Sequence, residues 1–177
     1  MTRWIALLRG VNVGGGNKIA MPALRVSCEE CGFERVATYI QSGNVVFDAD
    51  GDEASVTASL HAALRDRHQL KVPVVVRSAK EMDRLADCHP GLALGVDPKY
   101  LQIVFLDKKV AADAGTIDAT RFLPDTFETD GREIYATYPN GSGRSKLTIE
   151  VFERAFGVVA TARNVNTVRA LIALARV

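Results

Sequence analysis

The sequence predicts an α+β protein of two tandem ferredoxin-like (βαββαβ) halves with mainly antiparallel sheets, plus a C-terminal helix. Three observations predict it. The first 78 residues read in the order β-α-β-β-α-β, the split βαβ arrangement. The same order recurs in outline from Tyr100, although the residues themselves do not repeat. The 177 residues are 47% hydrophobic and 24% charged, the composition of a soluble globular chain long enough to bury a core. The predicted organisation is a ferredoxin-like half at 1–78, a helix and connector at 79–99, and a second half with the terminal helix at 100–177.

Trp4 to Leu8 is apolar at every position, which predicts a central strand covered on both faces. A glycine-rich loop follows. Pro22 suits the first turn of a helix whose buried face is Met21, Leu24, Cys28 and Cys31, and Gly32 is placed to end it in a left-handed conformation. Val36 to Gln41 reads as a strand, Ser42 to Asn44 as a tight turn, and Val45 to Phe47 as the hairpin partner. Asp48 to Glu53 reads as the acidic, solvated start of a helix that buries Val56, Leu60, Ala63 and Leu64 and ends in Arg65, Arg67 and His68. Val72 to Arg77 is the next strand, sent to a sheet edge by Pro73. Ser78 and Glu81 have capping-box spacing and open a helix that closes before Pro90. His89 to Lys99 is a connector.

In the second half, Tyr100 to Leu106 is a strand, and Asp107 caps a weaker helix running through Ala114. Thr126 to Thr129 and Arg132 to Tyr138 form a hairpin around Asp130 and Gly131. Ser145 caps a helix that runs to Phe156, supported by Glu150 and Arg154 four residues apart. Val158 to Ala162 is a short strand, and the final helix carries Val168, Leu171, Ile172 and Ala175 on one side.

Several function classes are disfavoured. A net charge of +1 provides no global attraction to nucleic acid or acidic membranes. No stretch reaches the roughly 20 apolar residues of a membrane helix, and the five apolar residues between Arg3 and Arg9 make a poor signal peptide. Three cysteines, an odd count, fit a reducing cytoplasm, which is the expected location. Cys28 and Cys31 have redox spacing, yet they lie late in a helix on its apolar face and read as core residues. His61 and His68 lack a third ligand and His89 borders a proline, so no metal is expected, and no cofactor motif is present. Ser42 and Ser145 have no assignable histidine base. Asp48, Asp50, Asp52 and Glu53 do not follow the EF-hand pattern. The hairpin strand Asn44 to Phe47 has one aromatic and no RNA-recognition signature, which disfavours open-sheet RNA binding. The apolar first strands of both halves imply covered second faces, by the other half or by a second subunit.

Four segments are distinctive as a set: Leu8 to Gly15, Thr38 to Phe47, Gly143 to Leu147, and Thr161 to Thr167. Together they resemble the bacterial family named domain of unknown function 1697, over nearly the whole chain. The resemblance implies a two-lobed α/β protein of ferredoxin-like units and brings no activity with it. Two positions depart from the family pattern: Gly16 stands where lysine is common, and Val165 where an aromatic, usually tryptophan, separates the two asparagines. A ligand bound through those residues in relatives would be bound less tightly or differently here.

The topology brings the polar loops together. In a β-α-β-β-α-β unit the end of the first strand and the turn between the second and third share one end of the sheet. That places Arg9, Asn12, Gly14, Gly15 and Lys18 near Gln41, Ser42 and Asn44. In the second half the loop before the second helix and the end of the last strand also share an end, which places Arg144, Ser145 and Lys146 near Arg163, Asn164 and Asn166. A rough two-fold between the halves would turn both clusters toward one cleft. Glycines that expose N–H groups, a helix start, and Arg or Lys suit a phosphate or carboxylate. The plainer reading is strain-relieving connections and helix caps. Three functions stay open: binding of an anionic small molecule or nucleic acid in a cleft of these loops, a metal-independent enzyme acting on such a ligand, and a homodimeric interaction module. No membrane partner is expected.

Overall fold

Thr2–Leu8 forms strand β1, and its last five residues, Trp4 to Leu8, are all buried. The computed structural model describes residues 1–111 and 114–177, which divide into two compact units, Met1–Asp83 with Ala170–Val177, and Arg84–Arg169. In the first unit β1 is followed by α1 (Met21–Glu30), β2 (Glu34–Tyr39), β3 (Asn44–Ala49), α2 (Glu53–His68) and β4 (Val74–Ser78). The sheet order is β2-β3-β1-β4 with every neighbouring pair antiparallel. This is the split βαβ topology, with β1 central and the strand after Pro73 at an edge.

Local chemistry accounts for the element ends. Pro22 occupies the first turn of α1, Cys31 is its half-buried C-cap, and Gly32 follows at φ +81. Asp52 and Ser55 form a reciprocal capping box at the start of α2, which buries Val56, Leu60, Ala63 and Leu64. Both helices pack on one face of the sheet, where Leu24, Cys28 and Leu60 join Ala6, Val45 and Phe47 in one core. Phe33 stacks on Phe47 at 4.4 Å between ring centroids. The Ser78–Glu81 capping box is also formed, but helix α3 (Ala79–Met82) stops after one turn. Met82 is its only buried residue, so there is no longer apolar face to extend it.

Asp48 departs from its expected place in a solvated helix start. It lies in β3, 7% exposed, with its carboxylate 2.5 Å from Arg35 Nε and 3.3 Å from Arg3 Nη1. The same two arginines donate to the carbonyls of Leu174 and Val177. Arg3 Nε is buried and has no hydrogen-bond partner among the described residues.

The second unit contains α4 (Pro90–Ala93), β5 (Leu101–Leu106), β6 (Thr126–Asp130), β7 (Glu133–Thr137), α5 (Ile149–Phe156) and β8 (Ala160–Asn164). Its sheet order, β6-β7-β5-β8, is again wholly antiparallel. The final helix, α6 (Val165–Ala175), begins in this unit, and its residues from Ala170 onward belong to the first. Val104, Ile134, Ala136, Phe152 and Ala160 form the core, with Phe127 edge-on to Phe152. Among the described residues no helix is long and apolar enough to cross a membrane.

Three expectations need correction here. The weaker helix from Asp107 through Ala114 falls partly on 112–113, outside the described residues, and 107–111 are not helical. Asp107 is engaged elsewhere: its carboxylate accepts from the Val159 amide at 2.8 Å and its amide donates to the Val159 carbonyl at 2.9 Å. Ser145 does not cap α5, whose N-cap position is Thr148, because its hydroxyl points to Asp125. The last strand runs two residues later than expected, since Gly157, left-handed at φ +63, closes α5 and Ala160 is the first residue to pair with β5.

His89 is 2% exposed in the second unit. Its Nδ1 accepts from the Gly91 amide at 3.1 Å, so the proton is on Nε2, which donates to the Ala136 carbonyl at 3.1 Å. Burial lowers its pKa, and the Ala136 carbonyl opposes the shift only in part.

Two predictions follow from these buried groups. For Asp48, burial acts to raise the pKa, and the Arg35 hydrogen bond with the charges of Arg3 and Arg35 outweighs it, holding the carboxyl below its usual value. Asp48→Ala should destabilise the protein by about 2 kcal/mol at pH 7 in urea titrations, a buried pair discounted for the exposed Arg35. The Asp48 contribution is complete above the unfolded carboxyl pKa of about 4 and is lost as pH falls through the lower folded value, so the two stabilities converge in acid. For His89 the shift has the same direction and the neutral form is the folded one. Stability should therefore fall as pH drops below the unfolded value of about 6.5. His89→Leu should be less stable at pH 7 and show a shallower slope between pH 7 and 5 in thermal melts.

Candidate functional site

The glycine loop between β1 and α1 is tied down by Asn12. This residue is left-handed at φ 56 and half-buried. Its Nδ2 donates to the carbonyls of Ile19 at 2.8 Å and Gln41 at 2.9 Å, and its Oδ1 accepts from the Ile19 amide at 2.9 Å. One side chain thus closes the loop on itself and joins it to the β2–β3 turn. The turn is fixed by its own contacts. Asn44 is fully buried and donates to Tyr39 and Ser42, and the Leu8 amide donates to Gly43. Gly43, at φ +76, admits no side chain, since a Cβ there would lie 2.8 Å from Leu8 Cβ.

Between loop and turn lies a cavity of about 510 Å³ lined by Asn12, Gly15, Lys18, Ile19, Ala20 and Gln41. Gly14 and Gly15 are exposed in a turn at φ 63 and 83, and the N–H groups of 14 and 15 donate to no protein acceptor among the described residues. Lys18 is exposed and forms no ion pair among them. Arg9 is half-buried next to the loop, its amide bonded to the Pro73 carbonyl. Of the residues expected in the first cluster, Asn12, Gly15, Lys18 and Gln41 share the cavity. Asn44 and Ser42 hold the turn, and Asn12 holds both.

In the second unit a cavity of about 260 Å³ lies beside the loop after β7, which includes a 3-10 turn at Ser142–Arg144. Arg144, Ser145 and Lys146 line it, together with Arg121, Asp125 and Asn140. Ser145 Oγ is 2.5 Å from Asp125 Oδ2 and accepts from the Leu147 amide at 2.9 Å. Arg163, Asn164 and Asn166 do not line this cavity. Arg163 is half-buried in β8 and donates to Thr161 Oγ1 and the Ala162 carbonyl, with burial lowering its pKa to about 10. Asn164 Oδ1 accepts from the Thr167 amide at 2.8 Å, the contact of a helix N-cap, and Asn166 is exposed in the first turn of α6.

Arg121, Asp125 and Asn140 were not singled out by the sequence. Arg121 and Asp125 flank Phe122, Leu123 and Pro124 in a stretch with no strand or helix period, and only the Ser145 hydroxyl, 20 residues away, reveals Asp125 as a partner. Cys28 is buried with its thiol pKa raised to about 12, mainly by burial, which suits a core residue. No group of three or more His, Cys, Asp or Glu side chains among the described residues is arranged to hold a metal ion.

A family model described as a protein of unknown function (DUF1697) matches residues 1–135. The chain belongs to this family. Among solved structures the DUF1697 chain is similar to the conserved bacterial protein SP0830 from Streptococcus pneumoniae, with a TM-score of 0.68 and 20% identity over 98% of both chains. At that identity the likeness is one of fold. No curated protein matches the sequence. The family match takes in the glycine loop and the β2–β3 turn, whereas the Gly143 to Leu147 and Thr161 to Thr167 segments lie beyond it.

Asn12→Ala removes all three side-chain hydrogen bonds that organise the first cavity. Hydrogen exchange should show the Ile19 amide opening at least about tenfold faster, with α2 protection unchanged, because the loop opens locally rather than with the core.

Proposed function

We propose that this DUF1697 protein binds a small phosphate- or carboxylate-bearing ligand, with nucleotides and nucleic-acid phosphates in that class, at the glycine loop of its first unit. What supports the reading is one observation: Asn12, Gly15, Lys18 and Gln41, from two separate loops, line a single cavity of about 510 Å³. Glycine N–H groups without a protein acceptor offer anion-binding donors, and Lys18 supplies charge. The apolar Ile19 and Ala20 in the same lining suit the uncharged body of such a ligand. Lys18 is the one titratable side chain among these lining residues, which favours binding over turnover. A cytoplasmic location is part of the proposal.

The test is a thermal-shift screen against phosphates, nucleotides, short RNA and DNA, and small carboxylates at low and moderate salt. A ligand present at about 100-fold its Kd should raise the melting temperature by about 5 °C or more. Lys18→Glu should remove that rise and leave the unliganded melting temperature unchanged. Gly16→Lys should strengthen binding several-fold, because its backbone is not left-handed and a Cβ there meets nothing within 4 Å. Compared in an Arg144→Gln background, which removes a charge from the second cavity, a rise that persists in Lys18→Glu, or no rise with any class, rejects the proposal.

A further inference from the structure

We infer that the cavity of the second unit is a separate site for a small phosphate monoester that carries hydroxyl groups. It shares anion chemistry with the reading above and uses none of the same residues. Arg121, Arg144 and Lys146 line a cavity of about 260 Å³, all three exposed and none in an ion pair among the described residues. Asp125 lines it too, only 9% exposed. Among the lining side chains three cations face one carboxylate, and although Asp118 offsets part of the Arg121 charge the remaining positive excess suits an anion such as a phosphate monoester. Two arginines provide the planar donor forks suited to phosphate oxygens.

The carboxylate defines the rest of the ligand. A plain oxyanion gains nothing from a neighbouring Asp125, which repels it. Ser145 Oγ occupies one oxygen of that carboxylate at 2.5 Å, and no other donor to it is seen among the described residues. A buried carboxylate ordinarily accepts several hydrogen bonds, so Asp125 has acceptor capacity remaining in a cavity that it lines. A hydroxyl on a carbon near the phosphate supplies the missing donor, and the Asn140 amide can bond a second one. Ser145 is itself anchored by the Leu147 amide at 2.9 Å, so the carboxylate is held in place before a ligand arrives. The volume, below that of most drug-sized sites, suits a phosphorylated polyol rather than a whole nucleotide.

The experiment is isothermal titration calorimetry of the intact protein at pH 7.5 with glycerol 3-phosphate, methyl phosphate and glycerol. Methyl phosphate has the same charged group without the hydroxyls. Glycerol 3-phosphate should saturate this site and bind it at least about tenfold more tightly than methyl phosphate, since a site built to bond a hydroxyl discriminates against the ligand lacking it. Glycerol alone should give no binding. Arg144→Gln should weaken both phosphates about tenfold or more, and Asp125→Ala should bring their affinities together by strengthening methyl phosphate. In Lys18→Glu, where the glycine loop has lost its charge, glycerol 3-phosphate should still bind with the same preference over methyl phosphate. Equal affinities in the unaltered protein, no saturable binding, or binding unaffected by Arg144→Gln overturns the inference. Loss of binding in Lys18→Glu also overturns it, by assigning the ligand to the glycine loop. If Asp125→Ala does not fold, the ratio of the two phosphates in the unaltered protein decides.

Discussion

The amide of Asn12 is the constraint on which the first unit's loop end depends. With both Nδ2 hydrogens and its oxygen engaged, it fixes Ile19 at the start of α1 and Gln41 in the β2–β3 turn at the same time. The loop between Asn12 and Ile19 has three consecutive glycines, and besides the Asn12 side chain it is held by the Asn12 amide on the Asn17 carbonyl and by Asn17 Nδ2 on the Gly10 carbonyl. Gly43 imposes the complementary condition, since the turn approaches Leu8 too closely for any side chain at that position. The cavity wall is thus made of flexible residues held by a rigid frame, an arrangement in which backbone N–H groups can face a ligand while the sheet beneath stays fixed.

The two cavities differ in chemistry although their sheets share one strand order. The first has one cation, open glycine backbone and two apolar side chains. The second has three cations gathered around a buried carboxylate. Likeness of topology therefore brings no likeness of cavity lining, which accords with chemistry residing in loops grafted onto a common framework. The family match over residues 1–135 and the fold shared with the pneumococcal protein fix the framework without supplying the chemistry.

How much was legible in the sequence follows from the range of the interactions involved. The first unit was readable because its signals are local: the apolar run at Trp4 to Leu8, Pro22 and Gly32 around α1, and Pro73 before the edge strand. The placement of Lys18 near Gln41 was also readable, since the β-α-β-β order alone dictates which strand ends meet. The failures have one cause. Asp48, Asp107 and Ser145 each look like the polar residues that start helices, and each is instead claimed by a distant partner: Arg3 across 45 residues, Val159 across 52, and Asp125 across 20. A cap is a local bond of modest strength, and a tertiary partner displaces it without leaving a trace in the nearby sequence. Asn164 had no such competitor and capped α6 as its residue type suggests.

The eight residues Ala170–Val177 belong to the same unit as Met1–Asp83, separated from it in sequence by the whole of the other unit. During synthesis the first sheet and both of its helices leave the ribosome long before these residues exist. Arg3 and Arg35 can close on Asp48 at that stage, but the carbonyls of Leu174 and Val177 that they also hold arrive only after the other unit. The first unit thus lacks these two contacts until the whole of the other unit has been made, and until then its sheet and helices hold without them.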